Sequence, residues 1–222
     1  MRTLPIAQPK RQYRLYDACW QMPNGDMCRA ERRLPATAPF ERACATFSRG
    51  TVLKTPNGPQ AIEDLRPGDS VTTLTGPASI QWIGSTIMIP IMPRQTQSRL
   101  TQLVRIQTSG MGMDEMGDLV VGPLARIARP LPEARDRAAY RALDPLMAFG
   151  DGHAFAIIPP SPVRLFQIVV SSFAPVFAHG LWIETLHAPT KSQEFADDWP
   201  LLAQLSVPAA ARQGNGMARL MR

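Results

Sequence analysis

The sequence is short of the residues from which metal centres and disulfide frameworks are made: its 222 residues hold three cysteines and three histidines. Cys19, Cys28 and Cys44 are odd in number, and none stands two to four residues from another. That excludes the usual zinc spacing and makes a poor disulfide set. The three are read as reduced thiols, and no cofactor or metal is expected. Long apolar runs are also missing. No stretch reaches the roughly 18 residues that a spanning helix needs, so no membrane span is expected. The opening, MRTLPIAQPKRQYRLY, is basic but lacks a continuous apolar stretch. A standard secretory signal peptide is therefore not expected, and the default location is cytoplasmic, with export by other signals left open. A basic face for nucleic acid is missing too. The net charge of +6 sits at the two ends: +4 in residues 1–43 and +3 in 209–222, against −1 in 44–208. Basic tails do not make a patch on the folded unit, so no nucleic-acid partner is expected.

Turn formers, by contrast, are plentiful: 22 prolines and 15 glycines interrupt any long regular element. Residues 1–45 read as an N-terminal extension without sustained alternation. Tyr13, Tyr16 and Trp20 are aromatics that a fully disordered arm rarely keeps, so parts of it are expected to dock. From Thr46 onward, short strands and turns take over. TVLKT (51–55) precedes the Asn-Gly signal in PNGP (56–59). RPGD (66–69) puts Pro67-Gly68 at the centre of a type II turn, and TGP (75–77) marks another turn. Acids early and arginines later predict a helix over 132–148, and a second short helix is expected over 193–205. Strands separated by turns every eight to twelve residues predict an all-β fold with one or two short helices. This pattern does not distinguish a sandwich from a barrel.

One run of residues is more specific. Phe47 is followed by Gly50-Thr51, a strand, the block Ile62-Glu63-Asp64-Leu65-Arg66-Pro67-Gly68-Asp69, another strand, and Trp82-Ile83-Gly84. The order resembles the opening of bacterial Hint (hedgehog/intein-type) domains. In that family a nucleophile precedes Gly-Thr, and a V/I-E-D/E-L-R/K-P-G-D block leads to W-I/V-G. DLVVGPLARI (118–127) resembles the family block ending in V-S-P-x-H-R. RLFQIVVSSFAPVFAHGLWIETL (164–186) resembles its closing strands. The resemblance implies a Hint-like domain over 46–190, a C-terminal tail over 191–222, and a pseudo-two-fold β horseshoe of short and curved strands.

It also implies a chemistry. Hint domains cleave the peptide bond before their first residue, whose thiol or hydroxyl attacks the preceding carbonyl. The step needs a nucleophile, a proton donor for the leaving nitrogen and donors for the oxyanion. Here the nucleophile position falls on Thr46, whose hydroxyl is far harder to activate than a thiol. Cys44 stands two residues earlier, displaced by about 6–7 Å in a strand, a gap that only a bulge would close. The second-block His position falls on Ala125, whose side chain neither donates nor accepts. The closing-strand D-R-H-E falls on Ser171, Ser172, Phe173 and Ala174, and all charge is gone. His153, His179 and His187 match no catalytic position of the family and read as surface or turn residues. No His-Asn ending stands before Cys, Ser or Thr, so splicing is not expected.

Three polar elements are missing while the turn and core signals persist. That combination favours a Hint domain without self-processing, acting as a structural or interaction module for an unidentified protein partner. The alternative is slow self-cleavage through Thr46 or Cys44 that releases the N-terminal extension. A third reading is an unrelated all-β binding domain that shares only turn chemistry.

Overall fold

The computed structural model describes residues 13–22, 24–89, 102–108, 117–130, 140–142, 154–157, 159–172 and 174–187. In chain order, β1 (Tyr13–Gln21) and β2 (Met27–Pro35) form a hairpin, and α1 (Ala38–Cys44) leads into β3 (Phe47–Ser48). β4 (Val52–Thr55) and β5 (Gly58–Ala61) form a second hairpin, followed by a 3-10 turn at Ile62–Asp64. β6 (Ser70–Thr73) and β7 (Gly76–Met88) form a third. β8 (Leu103–Ile106), β9 (Leu119–Val121), β10 (Ala128–Pro130), β11 (Tyr140–Ala142), β12 (Ala154–Ile157) and β13 (Val163–Val170) follow. β14 (Val176–Ala178), β15 (Leu181–Ile183) and β16 (Leu186–His187) come last. The described chain is mostly β, as the turn spacing predicts. No helix among the described residues is long and apolar enough to cross a membrane.

The long strand β7 organises the sheet. It pairs antiparallel with β6 near its start, with β13 from Ile80 to Met88, and with β1 from Trp82 to Thr86. β13 also pairs with β3, and β3 with β9. Phe47, Leu53, Ile62, Val71, Ile80 and Ile168 anchor the main core. A second cluster, including Tyr16, Phe40, Cys44 and Trp82, seats α1 on the other side of β7.

Local chemistry explains why the residues of the opening block stand where they do. Gly68 has φ +100, which the third position of a type II turn requires. The Arg66 N–H donates to the Asp69 carboxylate at 2.7 Å and the Asp69 N–H to the Arg66 carbonyl at 3.0 Å, closing the turn. The PNGP and TGP turns share one device. Thr55 Oγ1 donates to the Gly58 carbonyl at 2.6 Å, and Thr73 Oγ1 to the Gly76 carbonyl at 2.5 Å. Gly84 lets the Trp82 ring fold back over the strand, since a Cβ at residue 84 would lie 2.1 Å from the ring.

Glu63 fastens the strand entry. Its carboxylate accepts the Gly50 N–H at 2.8 Å and faces Arg49 Nε at 3.4 Å. Burial opposes the charge, but hydrogen bonds from the Gly50 and Glu63 N–H groups and from Arg49 outweigh it and hold the carboxyl below its usual value. A depressed folded value gives stability that is complete above the unfolded value and is lost as pH falls through the folded one. Urea unfolding followed downward from about pH 6 should therefore lose a component below about pH 4.3 that Glu63→Gln lacks. Identical pH profiles for the two proteins would contradict this role.

Residues 13–44 dock on the sheet, to which they add a hairpin and a helix. One expectation changes. The helix expected over 132–148 fails at Tyr140–Ala142, which pair antiparallel with Ala128–Pro130. Pairing with a neighbouring strand overrides the local helix preference there. The rest of 132–148, apart from 140–142, and the helix expected over 193–205 lie outside the described residues.

Candidate functional site

The Ala45–Thr46 peptide leaves the end of α1 and enters β3 between two other strands. The Thr46 N–H donates to the Phe166 carbonyl of β13 at 2.9 Å. The Thr46 carbonyl accepts the Gly122 N–H at 2.8 Å, just past β9. Ala45 is 1% and Thr46 3% exposed, so the peptide is closed to water. Gly122 presses against it so closely that a Cβ at residue 122 would lie 1.7 Å from the Ala45 carbonyl oxygen. The 118–127 block thus meets the start of the domain. Ala125 completes the turn, its N–H donating to the Gly122 carbonyl at 3.2 Å. Its side chain is buried in the main core.

The Thr46 hydroxyl has one buried side-chain partner. Gln167 Nε2 donates to Thr46 Oγ1 at 2.7 Å. The amide orientation is fixed because Gln167 Oε1 accepts the Ile168 N–H at 2.9 Å. Thr46 Oγ1 therefore faces a hydrogen-bond donor. An amide nitrogen in this role cannot take the hydroxyl proton, and it occupies a lone pair that an attack would use.

The closing-strand positions lie elsewhere. Ser171 is exposed and exchanges hydrogen bonds with Ser79, through its N–H at 2.9 Å and its Oγ at 3.1 Å. It stands five residues beyond Phe166, roughly 16 Å of extended chain from the bond that Thr46 makes. The Ala174 N–H turns back to the Ser172 carbonyl at 3.0 Å. Phe173 lies outside the described residues. The closing-strand side chain beside Thr46 is instead Gln167, which the sequence reading missed. The available signal was a single amide inside the apolar run Leu165–Val170, because a buried amide must find partners.

Cys44 is the last residue of α1 and fully buried. Burial pushes its thiol well up, and the charges of Glu41 and Asp17 push in the same direction. It stays a protonated thiol packed with Trp82 and Tyr16, which is not a nucleophile. His179 is in a turn with φ +45, as read, but it is buried rather than on the surface. Its Nε2 accepts the Val52 N–H at 3.1 Å, and Nδ1 lies 3.2 Å from the Gly117 carbonyl. An accepting Nε2 makes the ring neutral with the proton on Nδ1, so His179 is a structural bridge between two loops and β4. His153 lies outside the described residues. Among the described residues, no group of three or more His, Cys, Asp or Glu side chains could hold a metal ion.

A sequence profile of the family described as the Hint domain matches residues 45–190. Among solved structures, a crystal structure of the gp41-1 intein carrying three substitutions is similar at a TM-score of 0.39 and 12% identity. The alignment covers 64% of this chain and 98% of that one. No curated protein matches.

Proposed function

The chain belongs to the Hint domain family, and from that premise we propose that it is a member without self-cleaving activity, serving as a structural or interaction module. The observation that carries this reading is the hydrogen bond from Gln167 Nε2 to Thr46 Oγ1. It sets a donor where a nucleophile would need an acceptor. Ala125 adds no proton donor for a leaving nitrogen, and general acid–base help of that kind is typically worth about 10²–10⁴ in rate.

The setting of the bond supports the same conclusion. The N-terminal segment is fastened by five β1–β7 residue pairs, from Tyr16↔Thr86 to Trp20↔Trp82. It also buries Tyr16, Ala18, Phe40, Ala43 and Cys44 against the domain. Scission at Ala45–Thr46 would leave residues 13–44 held by these contacts. Release of an extension, which gives the self-cleaving alternative its purpose, would need this part of the sheet to come apart.

Thr46→Cys tests the reading. A thiol at this position is expected to remain inert over a day with excess dithiothreitol, because Gln167 and Ala125 still supply no base or acid. A fragment beginning at residue 46 would show that the nucleophile alone was missing, and would favour self-cleavage as the ancestral and recoverable function.

A further inference from the structure

Exposed apolar side chains are concentrated on one face of the sheet. Among the described residues, the large hydrophobics left exposed are Tyr13, Leu15, Met22, Met27, Ile87 and Ile89. Tyr13 and Leu15 alternate with Tyr16 and Ala18 along β1, so they point away from α1. Leu15 and Ile87 stand one step beyond the Tyr16↔Thr86 pair and so lie side by side. Leu15 is also opposite Arg33, and Ile87 opposite Arg164. Four adjacent strands therefore present a row of Arg33, Leu15, Ile87 and Arg164. At about 4.8 Å per strand the row is roughly 14 Å wide.

Below the row the face deepens into a groove of ≈ 460 Å³ between β1, β7 and β13 and the 63–67 turn. Ile83, Leu65, Pro67 and Phe166 give it apolar walls, and Arg29, Arg49, Arg66 and Arg164 line it as well. The acids here are largely committed. Asp17 pairs with Arg29, and Glu63 with Arg49 and the Gly50 N–H. Three cations remain available. Arg164 donates to the Ser85 hydroxyl, Arg33 lies 6.0 Å over the Tyr13 ring, and Arg66 is exposed in its turn.

We propose that this face docks an extended segment of another protein that carries apolar and Asp or Glu side chains together on one of its faces. The proposal rests on the interaction-module reading above and names the class of partner. An extended segment repeats its side chains on one face every two residues, about 6.6–7 Å, so carboxylates four residues apart span roughly the length of the row and meet Arg33 and Arg164, with an apolar residue midway over Leu15 and Ile87. A second copy of the chain fits poorly. Antiparallel pairing of β2 with itself about Glu31 would set Arg29 against Arg33 and Glu31 against Glu31. Like charges directly opposite are destabilising. An anionic membrane fits poorly too, because Glu31 and Asp64 border the same face and a flat surface cannot avoid them.

Selection of a phage-displayed random dodecapeptide library on the full-length protein tests the proposal. The most enriched peptide is then made with a fluorescein label and its affinity read by anisotropy. Selected peptides should combine Asp or Glu with Leu, Ile, Val or Phe. Leu15→Glu with Ile87→Glu, and separately Arg66→Glu with Arg164→Glu, should each weaken the peptide about tenfold or more, a loss typical of interface anchors. All four side chains are exposed, and thermal melts matching the parent would confirm that the variants fold. No enrichment, or affinity unchanged in both double variants, would overturn the proposal. So would sedimentation as a dimer that Leu15→Glu with Ile87→Glu abolishes, or binding to phosphatidylglycerol-containing vesicles in place of the peptide. The denatured mass of each preparation separates the two claims. Failed docking by an uncleaved chain counts against this face alone, whereas a fragment beginning at Thr46 counts against the loss of self-cleavage.

Discussion

Gly122→Ala is expected to destabilise the domain by about 3 kcal/mol or more, at or beyond the upper end of overpacking costs. The new Cβ would sit 1.7 Å from the Ala45 carbonyl oxygen and 2.7 Å from its carbon. These are backbone atoms, so no rotamer change relieves the clash. They are also held on both sides, since Thr46 bonds to Phe166 and to Gly122 itself. Relief would have to come from parting β3 and β9. Chemical unfolding of Gly122→Ala beside the parent measures the cost. A loss below 1 kcal/mol, well under a full overpacking penalty, would show that the Ala45–Thr46 peptide is not gripped as described.

Glu41→Ala is expected to cost about 3–5 kcal/mol, the usual penalty for removing one partner of a buried ion pair. Glu41 is fully buried. Its carboxylate accepts from Arg14 Nη1 at 3.0 Å and from Tyr16 Oη at 2.7 Å, which joins α1 to β1. Burial raises its pKa, while Arg14 and the Tyr16 hydroxyl act in the opposite direction. The raised value gives a sign. Above the unfolded value the folded state holds this proton more tightly, so ionising Glu41 costs stability as pH rises through the window up to its folded value. Glu41→Gln keeps an acceptor for Tyr16 and should recover part of the loss. Equal losses for both variants would mean that charge alone holds the joint, and no loss in either would mean that α1 contributes little.

The parts of the fold that were legible in the sequence are those with local causes. Pro67-Gly68 and Asn57-Gly58 dictate turns whatever surrounds them, and the opening block follows from its own short-range hydrogen bonds. The β1–β2 hairpin was hidden because its alternation is weak: in β1 only Tyr16 and Ala18 are buried. α1 did carry a signal, Thr37 before Pro39 with Glu41 in the first turn, but its seven residues are too few to show a period. β11 depends on a partner strand that no local preference specifies. At the site, the motif resemblance points to Thr46 and Ala125 but not to Gln167, whose partner is 121 residues away. The close approach that makes Gly122 obligatory is likewise a property of packing, which a glycine in a turn block does not announce.

The denatured mass of the unmodified chain, after expression and prolonged incubation with a thiol, tests the central claim most directly. Denaturation is essential, because residues 13–44 would stay on the sheet after scission and a native measurement would miss the break. The account predicts one species at full-length mass. Two fragments divided between Ala45 and Thr46 would contradict it.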